Sequence, residues 1–178
     1  MKMKSFWSRV NESGLRQGDY IHGCNLPIFT LPSALDQQSP DFTIDVEMKQ
    51  KDLIILTQSC DLENKKVRFV TLCPLYALPD FEITTPGLLR KGEWEKVRQG
   101  RYEGLHLLGS PFDPEDNRGA LVVDFREIHS LPIEYISSYA MELGDRWRLK
   151  SPFLEHFSQS FARSFMRVGL PSAIPKFN

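Results

Sequence analysis

The chain has 178 residues, 41% of them hydrophobic and 25% charged, and its 22 lysine and arginine residues are balanced by 23 aspartate and glutamate residues. This composition is typical of one soluble globular domain. The near-neutral charge excludes a global field that would attract polyanions or anionic membranes, and no segment approaches the roughly 20 apolar residues of a membrane-spanning helix. No apolar stretch of signal-peptide length follows the charged start. Three scattered cysteines indicate free thiols in a reducing compartment, so we expect a cytoplasmic protein without a membrane partner.

The order of apolar and polar residues predicts a β-rich core over residues 18–150. A polar lead-in, residues 1–17, precedes it, and we expect a short helix there that docks Phe6 and Trp7. Short apolar or alternating runs, bounded by Gly, Pro and polar loops, predict strands. These predicted strands cover residues 18–24, 42–48, 53–58, 67–72, 102–108 and 120–125. The run at 42–48 alternates strictly, which predicts a half-buried strand, whereas 120–125 is apolar almost throughout and predicts a central strand.

Helices are predicted at two further places. Residues 86–100 carry apolar side chains at loosely helical spacing, which predicts a helical insertion. Residues 151–169 carry phenylalanine at every fourth position, which predicts an amphipathic C-terminal helix with Ser151 as its cap. We therefore expect a single α+β domain over residues 1–178, with a small, strongly curved antiparallel sheet or barrel that the C-terminal helix closes.

The most site-like segment is residues 52–63, where an unbroken apolar run gives way to the sequence TQSCD. A buried strand that delivers polar side chains to one rim of a core fits this change. Cys60 and Asp61 are the candidate catalytic residues, and Gln58 and Ser59 are candidates for substrate binding. The structural alternative makes Cys60 a small buried residue at a strand end, while Asp61 caps the following turn. Residues 61–66 are predicted to form a hairpin loop.

Positively charged residues gather around the insertion and the C-terminal helix. On that helix, His156, Arg163 and Arg167 are candidates for substrate binding. A cation from this group would favour a thiolate at Cys60, which the neighbouring carboxylate disfavours. Cation clusters of this kind can follow a phosphate backbone. Interleaved acidic residues favour the alternative of an ordinary solvated face.

A zinc site would need four ligands, and the sequence offers His22, Cys24, Cys60 and Cys73. The predicted hairpin places Cys60 and Cys73 at opposite ends of a strand about 20 Å long, at ~3.3 Å per residue. Both cannot then bind one ion. The sequence contains neither a glycine-rich phosphate loop nor a nucleophile elbow. We expect no metal and no cofactor.

Three stretches carry a resemblance to known families: RQGDYIHGCNLP (16–27), ILTQSCDLENKKVRFVTLCPL (55–75) and FARSFMRVGLP (161–171). Together they resemble an uncharacterised bacterial family marked by a TQSCDL-type motif. The glycine–aspartate start of the first strand, followed by a strand that ends at a polar turn, is also similar to the SH3-like barrels of PemK/MazF-like plasmid-maintenance toxins. That resemblance implies a barrel whose open face binds RNA and cleaves it without a metal. Those toxins tend to carry an arginine soon after the first strand, which residues 24–26 lack, so no catalytic residue is transferred.

Three functions of different classes follow from the sequence. The first is a nucleic-acid-binding or RNA-processing barrel protein of a bacterial phage-defence or toxin–antitoxin-like system, with RNA or DNA as its partner. The second is a non-catalytic interaction module, which docks a protein partner or a second copy through the TQSCD turn and the final helix. The third is an enzyme centred on Cys60. We rank them in that order.

Overall fold

The computed structural model describes residues 5–30, 45–87, 92–112 and 119–166. Within these ranges the chain forms an α+β fold with eight strands and five helices. The strands are β1 (Trp7–Val10), β2 (Asp19–Thr30), β3 (Asp45–Ile55), β4 (Phe69–Ala77), β5 (Leu105–Leu108), β6 (Leu121–Asp124), β7 (His129–Pro132) and β8 (Arg146–Leu149). The helices are α1 (Ser59–Glu63), α2 (Leu78–Thr84), α3 (Glu93–Arg98), α4 (Ile133–Leu143) and α5 (Phe153–Phe165). In those same ranges, no helix has both the length and the apolar composition needed to cross a membrane.

The strands form one antiparallel sheet in the order β1-β8-β2-β3-β4-β6-β5, and β7 pairs with the first half of β4. This confirms the predicted α+β class with an antiparallel sheet. The order ends at β1 on one side and at β5 on the other. No pairing in the described part of the chain joins these two strands, so the sheet is open and a closed barrel is not shown.

The unbroken apolar run at the end of β3 reflects a sheet that is covered on both faces. Successive side chains of a strand point to opposite faces. Accordingly, Ile54 lies in a cluster that contains Phe157 of α5, whereas Leu53 and Ile55 lie in a second cluster that contains Ile136 of α4. All five side chains are fully buried. Because both faces are covered, no position of this run can be polar.

The structure confirms most predicted strands but corrects several local predictions. Residues 7–10 form strand β1 rather than part of a short helix, although Trp7 is buried as expected. The connection from β3 to β4 is helix α1 and a turn, not the hairpin loop predicted at 61–66. The N-cap residue of α5 is Pro152 and has no side-chain hydrogen bond, so Ser151 is not the cap.

The predicted helices are found, within limits set by the described ranges. Helix α3 lies in the predicted insertion, and α5 is the amphipathic C-terminal helix. Residues 88–91 and 167–169 of these two predictions lie outside the described residues. Helices α2 and α4 and strands β7 and β8 were not predicted from the sequence.

The prediction of a half-buried strand at 42–48 is correct for the strand and wrong for its burial. Residues from Asp45 onwards belong to β3, and residues 42–44 lie outside the described ranges. The strand runs unbroken to Ile55, so the separate strand predicted at 53–58 is the second half of β3 and ends three residues earlier. Val46 and Met48, expected on the buried side, are 51% and 57% exposed. The alternating pattern identified a strand whose apolar face has no cover from the described residues.

Candidate functional site: a cleft at the split between β3 and β4

A cleft lies where two neighbouring strands of the sheet separate. Strands β3 and β4 are paired only as far as Leu53 and Pro74. Beyond that pair, β3 continues with β2 as a two-stranded arm, residues 25–30 and 45–50, whereas β4 continues alongside β6. A cleft of about 590 Å³ opens at this split. Its volume is in the range of small-molecule sites.

Asp52 is the centre of the first polar group in the cleft. Its Oδ2 accepts a 2.5 Å hydrogen bond from the Tyr20 hydroxyl, and its Oδ1 accepts a 2.8 Å hydrogen bond from the Gly23 N–H. The Nδ1 atom of His22 lies 2.8 Å from the same Oδ1. Burial and the neighbouring carboxylate raise the pKa of Tyr20, so its hydroxyl stays a donor to Asp52.

A β-bulge explains why His22 can reach Asp52. The register of β2 against β3 shifts between Ile21 and Cys24, so that His22 and Gly23 together lie opposite the single residue Asp52. Gly23 has φ +62°, a backbone conformation that glycine adopts without strain. Such bulges re-aim a side chain. The imidazole of His22 is thereby 68% exposed at the cleft while one ring nitrogen contacts the carboxylate.

Glu127 is the centre of a second polar group beside the first. It forms an ion pair with Lys51 and accepts a 2.6 Å hydrogen bond from the Tyr76 hydroxyl, and its Oε1 lies 2.9 Å from Nε2 of His129. Burial acts to raise the pKa of Glu127, but these three contacts outweigh it and lower the pKa to about 2. Lys51 and Tyr76 also line the cleft. The carboxylate therefore fixes both side chains in the cleft wall.

A smaller cavity of about 250 Å³ adjoins the cleft and shares Tyr20, His22 and Phe112 with it. The ring of Phe112 is 69% exposed and packs edge-on against Trp147, with centroids 6.3 Å apart. Arg9 lies over the Trp147 ring at 5.7 Å. Tyr20, His22 and Phe112 therefore form the part of the lining that the two cavities have in common.

The structure places the residues predicted around Cys60 away from this cleft. Cys60 is exposed on α1, which overturns the alternative of a buried thiol, and its Sγ lies 3.7 Å from Gln58 Oε1 and 3.8 Å from Asp61 Oδ1. The Oγ of Ser59 accepts a 3.1 Å hydrogen bond from the Gln17 N–H. None of these four residues, Gln58, Ser59, Cys60 and Asp61, lines either cavity in the described part of the structure. Their assignment as catalytic and binding residues stays a prediction.

The turn at Ser59 and the C-terminal helix do meet, through Gln17. Its backbone N–H binds Ser59, and its side-chain oxygen accepts a 3.1 Å hydrogen bond from Ser158 on α5. His156 and Arg163 are both exposed on this helix. Arg167 lies outside the described residues. The fold therefore brings α1 and α5 together at a residue that the sequence analysis had not singled out.

Zinc binding has no support in the ranges that the structure describes. They contain no group of three or more His, Cys, Asp or Glu residues placed to hold a metal ion. Cys24 and Cys73 are both buried at 0% exposure.

Sequence reasoning missed Asp52, Tyr20, Lys51 and Tyr76, and considered His22 only as a zinc ligand. The sequence did contain a signal for these residues. Asp52 directly precedes the apolar run of β3, and Tyr20 and His22 occupy alternate positions of β2 just before Gly23. Only the bulge and the split between β3 and β4 bring these residues together.

Comparison of the chain with protein-family models and with curated proteins finds no match. The resemblance to the TQSCDL-type family and to the PemK/MazF-like toxins stays a prediction.

Proposed function

We propose that the cleft binds a small polar ligand and that His22 transfers a proton to or from it. The observation that carries this proposal is the 2.8 Å contact between His22 Nδ1 and Asp52 Oδ1. A carboxylate can only accept a hydrogen bond, so Nδ1 carries the proton and Nε2 is left to exchange one. Carboxylates orient the imidazole of general acid–base histidines in this way. Tyr20 and Gly23 hold the carboxylate itself in place.

The lining of the cleft supports a ligand that is neutral or positively charged and has an aromatic or apolar face. Tyr20, Tyr76 and Phe112 supply rings, and Asp52 and Asp80 supply carboxylates. Within the described ranges, Lys51 is the only lysine or arginine that lines this cleft. It already forms an ion pair with Glu127. A strongly anionic ligand would meet these carboxylates, and the described lining offers no unpaired lysine or arginine to offset them.

The competing prediction is RNA binding by a toxin-like or defence protein. Phosphate binding needs lysine and arginine side chains that can release counterions. Many of the described cations already pair with carboxylates: Arg9 with Asp145, Arg16 with Glu63, Lys66 with Asp61, Arg98 with Glu95, and Arg126 with Asp124. This pairing favours the small-ligand proposal over RNA, and RNA processing stays a prediction.

The tautomer of His22 tests the geometry on which the proposal depends. Long-range ¹H–¹⁵N NMR spectra at about pH 8, where an ordinary imidazole is neutral, distinguish the two tautomers. We expect the Nδ1–H form for His22 and, as an internal reference, the Nε2–H form for His129, whose Nε2 faces Glu127. Asp52→Asn should weaken the preference at His22, whereas Asp80→Asn, which removes another carboxylate of the same cleft, should leave it unchanged. An Nε2–H form in wild-type His22 would contradict the proposed role.

Adenosine and adenosine 5′-monophosphate test the ligand class. Both contain the adenine ring and the ribose, and they differ by one phosphate group. We expect adenosine to shift the NMR signals of His22 and Tyr76 at lower concentration than the monophosphate does. His22→Gln should weaken the adenosine effect, and His129→Gln should not. Tighter binding of the monophosphate, or of a short RNA in a parallel titration, would overturn the ligand class and support the RNA prediction. If neither compound shifts these signals at millimolar concentration, the cleft is not a site for this class of ligand.

A further inference from the structure

Among the described residues, the arm of β2 and β3 has an unpaired strand edge. Strand β3 pairs with β4 only at Leu53, Ile54 and Ile55, while its other edge pairs with β2 as far as Asp45. In the part of the chain that the structure describes, no strand pairs with the outer edge of residues 45–51. Residues 46–50 are all exposed. An exposed strand edge offers N–H and C=O groups to another strand.

One face of the same arm is apolar and open. Phe29 lies opposite Val46 and Pro27 lies opposite Met48 in the β2–β3 register, and residues directly opposite each other share a face of the sheet. Phe29, Val46 and Met48 are 65%, 51% and 57% exposed. The opposite face carries Leu26, which is buried in the core. Within the described ranges, the arm therefore combines an unpaired edge with an exposed apolar face.

The charge order along this edge is self-complementary. The sequence DVEMKQK at residues 45–51 has acidic residues before Met48 and basic residues after it. We infer that two copies of this chain pair antiparallel along the outer edge of β3, with Met48 opposite Met48. In this register Glu47 lies opposite Lys49 of the second copy, and two-fold symmetry produces that contact twice. The apolar faces of the two arms join across the symmetry axis.

Alternative registers are disfavoured by the same charges. A two-fold antiparallel pair can shift only so that another residue lies on the axis. If Glu47 or Lys49 occupies the axis, it faces its own copy, and like charges directly opposite each other are destabilising. Within one chain Lys49 Nζ lies 3.1 Å from Glu47 Oε2, and both side chains are half-exposed. Replacing this weak surface ion pair by the intermolecular pair therefore costs little free energy.

Charge-swap variants of the full chain test the register. Sedimentation equilibrium over a concentration series should show a monomer–dimer equilibrium for the wild type. Glu47→Lys and Lys49→Glu should each weaken dimerisation roughly tenfold or more, because two opposite-charge pairs become like-charge pairs. Mixing the two single variants should restore a heterodimer, since every cross-strand pair is then again opposite in charge. Circular dichroism should verify that each variant is folded.

The mixing experiment separates contacts between chains from contacts within a chain. Repulsion within one arm is present in each single variant and does not change on mixing. A gain of dimer on mixing therefore reports pairing between copies. Wild-type protein that is monomeric at all concentrations would overturn the inference, and so would dimerisation that is insensitive to both charge changes.

Cysteine cross-linking gives an independent test of the axis. In a Cys60→Ser background, Met48→Cys should form an intermolecular disulfide on mild oxidation, because opposite Cα atoms in antiparallel strands are about 4.5–5.5 Å apart, within disulfide range. Val46→Cys is the matched control: it has similar exposure but would lie opposite Gln50. Equal cross-linking at both positions would overturn the register.

Discussion

Arg146 donates a 2.9 Å hydrogen bond from Nε to Oδ2 of Asp19, and both side chains are buried, with 1% and 0% exposure. Arg148, on the same strand, donates two hydrogen bonds to the same carboxylate, and the Arg16 N–H donates a fourth at 3.1 Å. Asp19 thereby joins the start of β2 to β8 and to the lead-in. The glycine–aspartate pair that suggested a toxin-like barrel is explained here by a structural role.

We expect Asp19→Asn to lower the free energy of unfolding by about 3–5 kcal/mol, because it leaves the guanidinium of Arg146 buried without its charge partner. Urea denaturation measures this loss. Asp145→Asn is the matched control, since it breaks an ion pair with Arg9 whose side chains are 64% and 41% exposed. That control should cost about 0–1 kcal/mol. Equal losses in both variants would show that the buried carboxylate has no special role.

The three thiols should react very differently in the folded protein. Cys60 is exposed on α1, whereas Cys24 and Cys73 have 0% exposure and burial raises the pKa of both. A thiolate is the reactive form. We therefore expect an aromatic disulfide reagent to titrate one thiol in native protein and three in denaturant, and Cys60→Ser to abolish the native reaction. Reaction of a second thiol under native conditions would reveal an opening of the core.

Local patterns predicted the buried parts of the sheet well. The apolar run of β3 and the apolar segment of β6 are both buried, because runs of this kind need cover on two faces and the fold provides it. Burial of the arm was mispredicted because alternation identifies a strand face but not whether another element covers it. Val46 and Met48 have the pattern of a core strand and lie at the surface.

The candidate site was harder to predict than the fold. The polar turn at Cys60 was predicted as the site because it directly follows a buried strand, a change that is visible in the local sequence. The cleft residues come from separate strands, and what unites them is a bulge at His22 and the divergence of β3 from β4. Neither the bulge nor the divergence of the strands can be identified from the sequence alone. The glycine at position 23 is the one local signal of the bulge.

His106 should make stability depend on pH between about 4 and 6.5. Its ring packs beside Phe125 and Phe157, with centroids 6.3 and 6.1 Å away. Burial, with a smaller contribution from His156, lowers the pKa of His106 from 6.5 to about 4. In this window the unfolded chain takes up a proton that the folded chain does not, so the free energy of unfolding falls as pH falls.

Urea midpoints measured from pH 7 to 4 test this for wild type and His106→Phe. We expect the wild type to lose more stability than the variant over this range, because phenylalanine does not titrate. His156→Gln, an exposed neighbour, should retain most of the slope since burial is the larger cause of the shift. Parallel pH profiles for wild type and His106→Phe would contradict the assignment.

Gly18 is required by both its backbone conformation and its surroundings. Its φ is +82°, and an added Cβ would lie 2.9 Å from Leu154 Cδ1 and 3.0 Å from Leu149 Cβ. Its N–H donates to the Ile55 carbonyl, and its own carbonyl accepts from the Leu149 N–H, so this residue links β3 to β8 beneath α5. Gly100 has a similar φ of +66° with nothing within 4 Å of an added Cβ.

We therefore expect Gly100→Ala to lower the free energy of unfolding by about 1–2 kcal/mol, because alanine is strained in the left-handed backbone conformation. Gly18→Ala should cost about 2–5 kcal/mol, because overpacking against Leu149 and Leu154 adds about 1–3 kcal/mol. Denaturation of the two variants side by side isolates the packing contribution as their difference.

Adding Leu154→Ala to Gly18→Ala opens space for the new methyl group. The loss in the double variant should then be smaller than the sum of the two single losses, because the residues share a contact. Additive losses would show that Gly18 is needed for its backbone conformation alone.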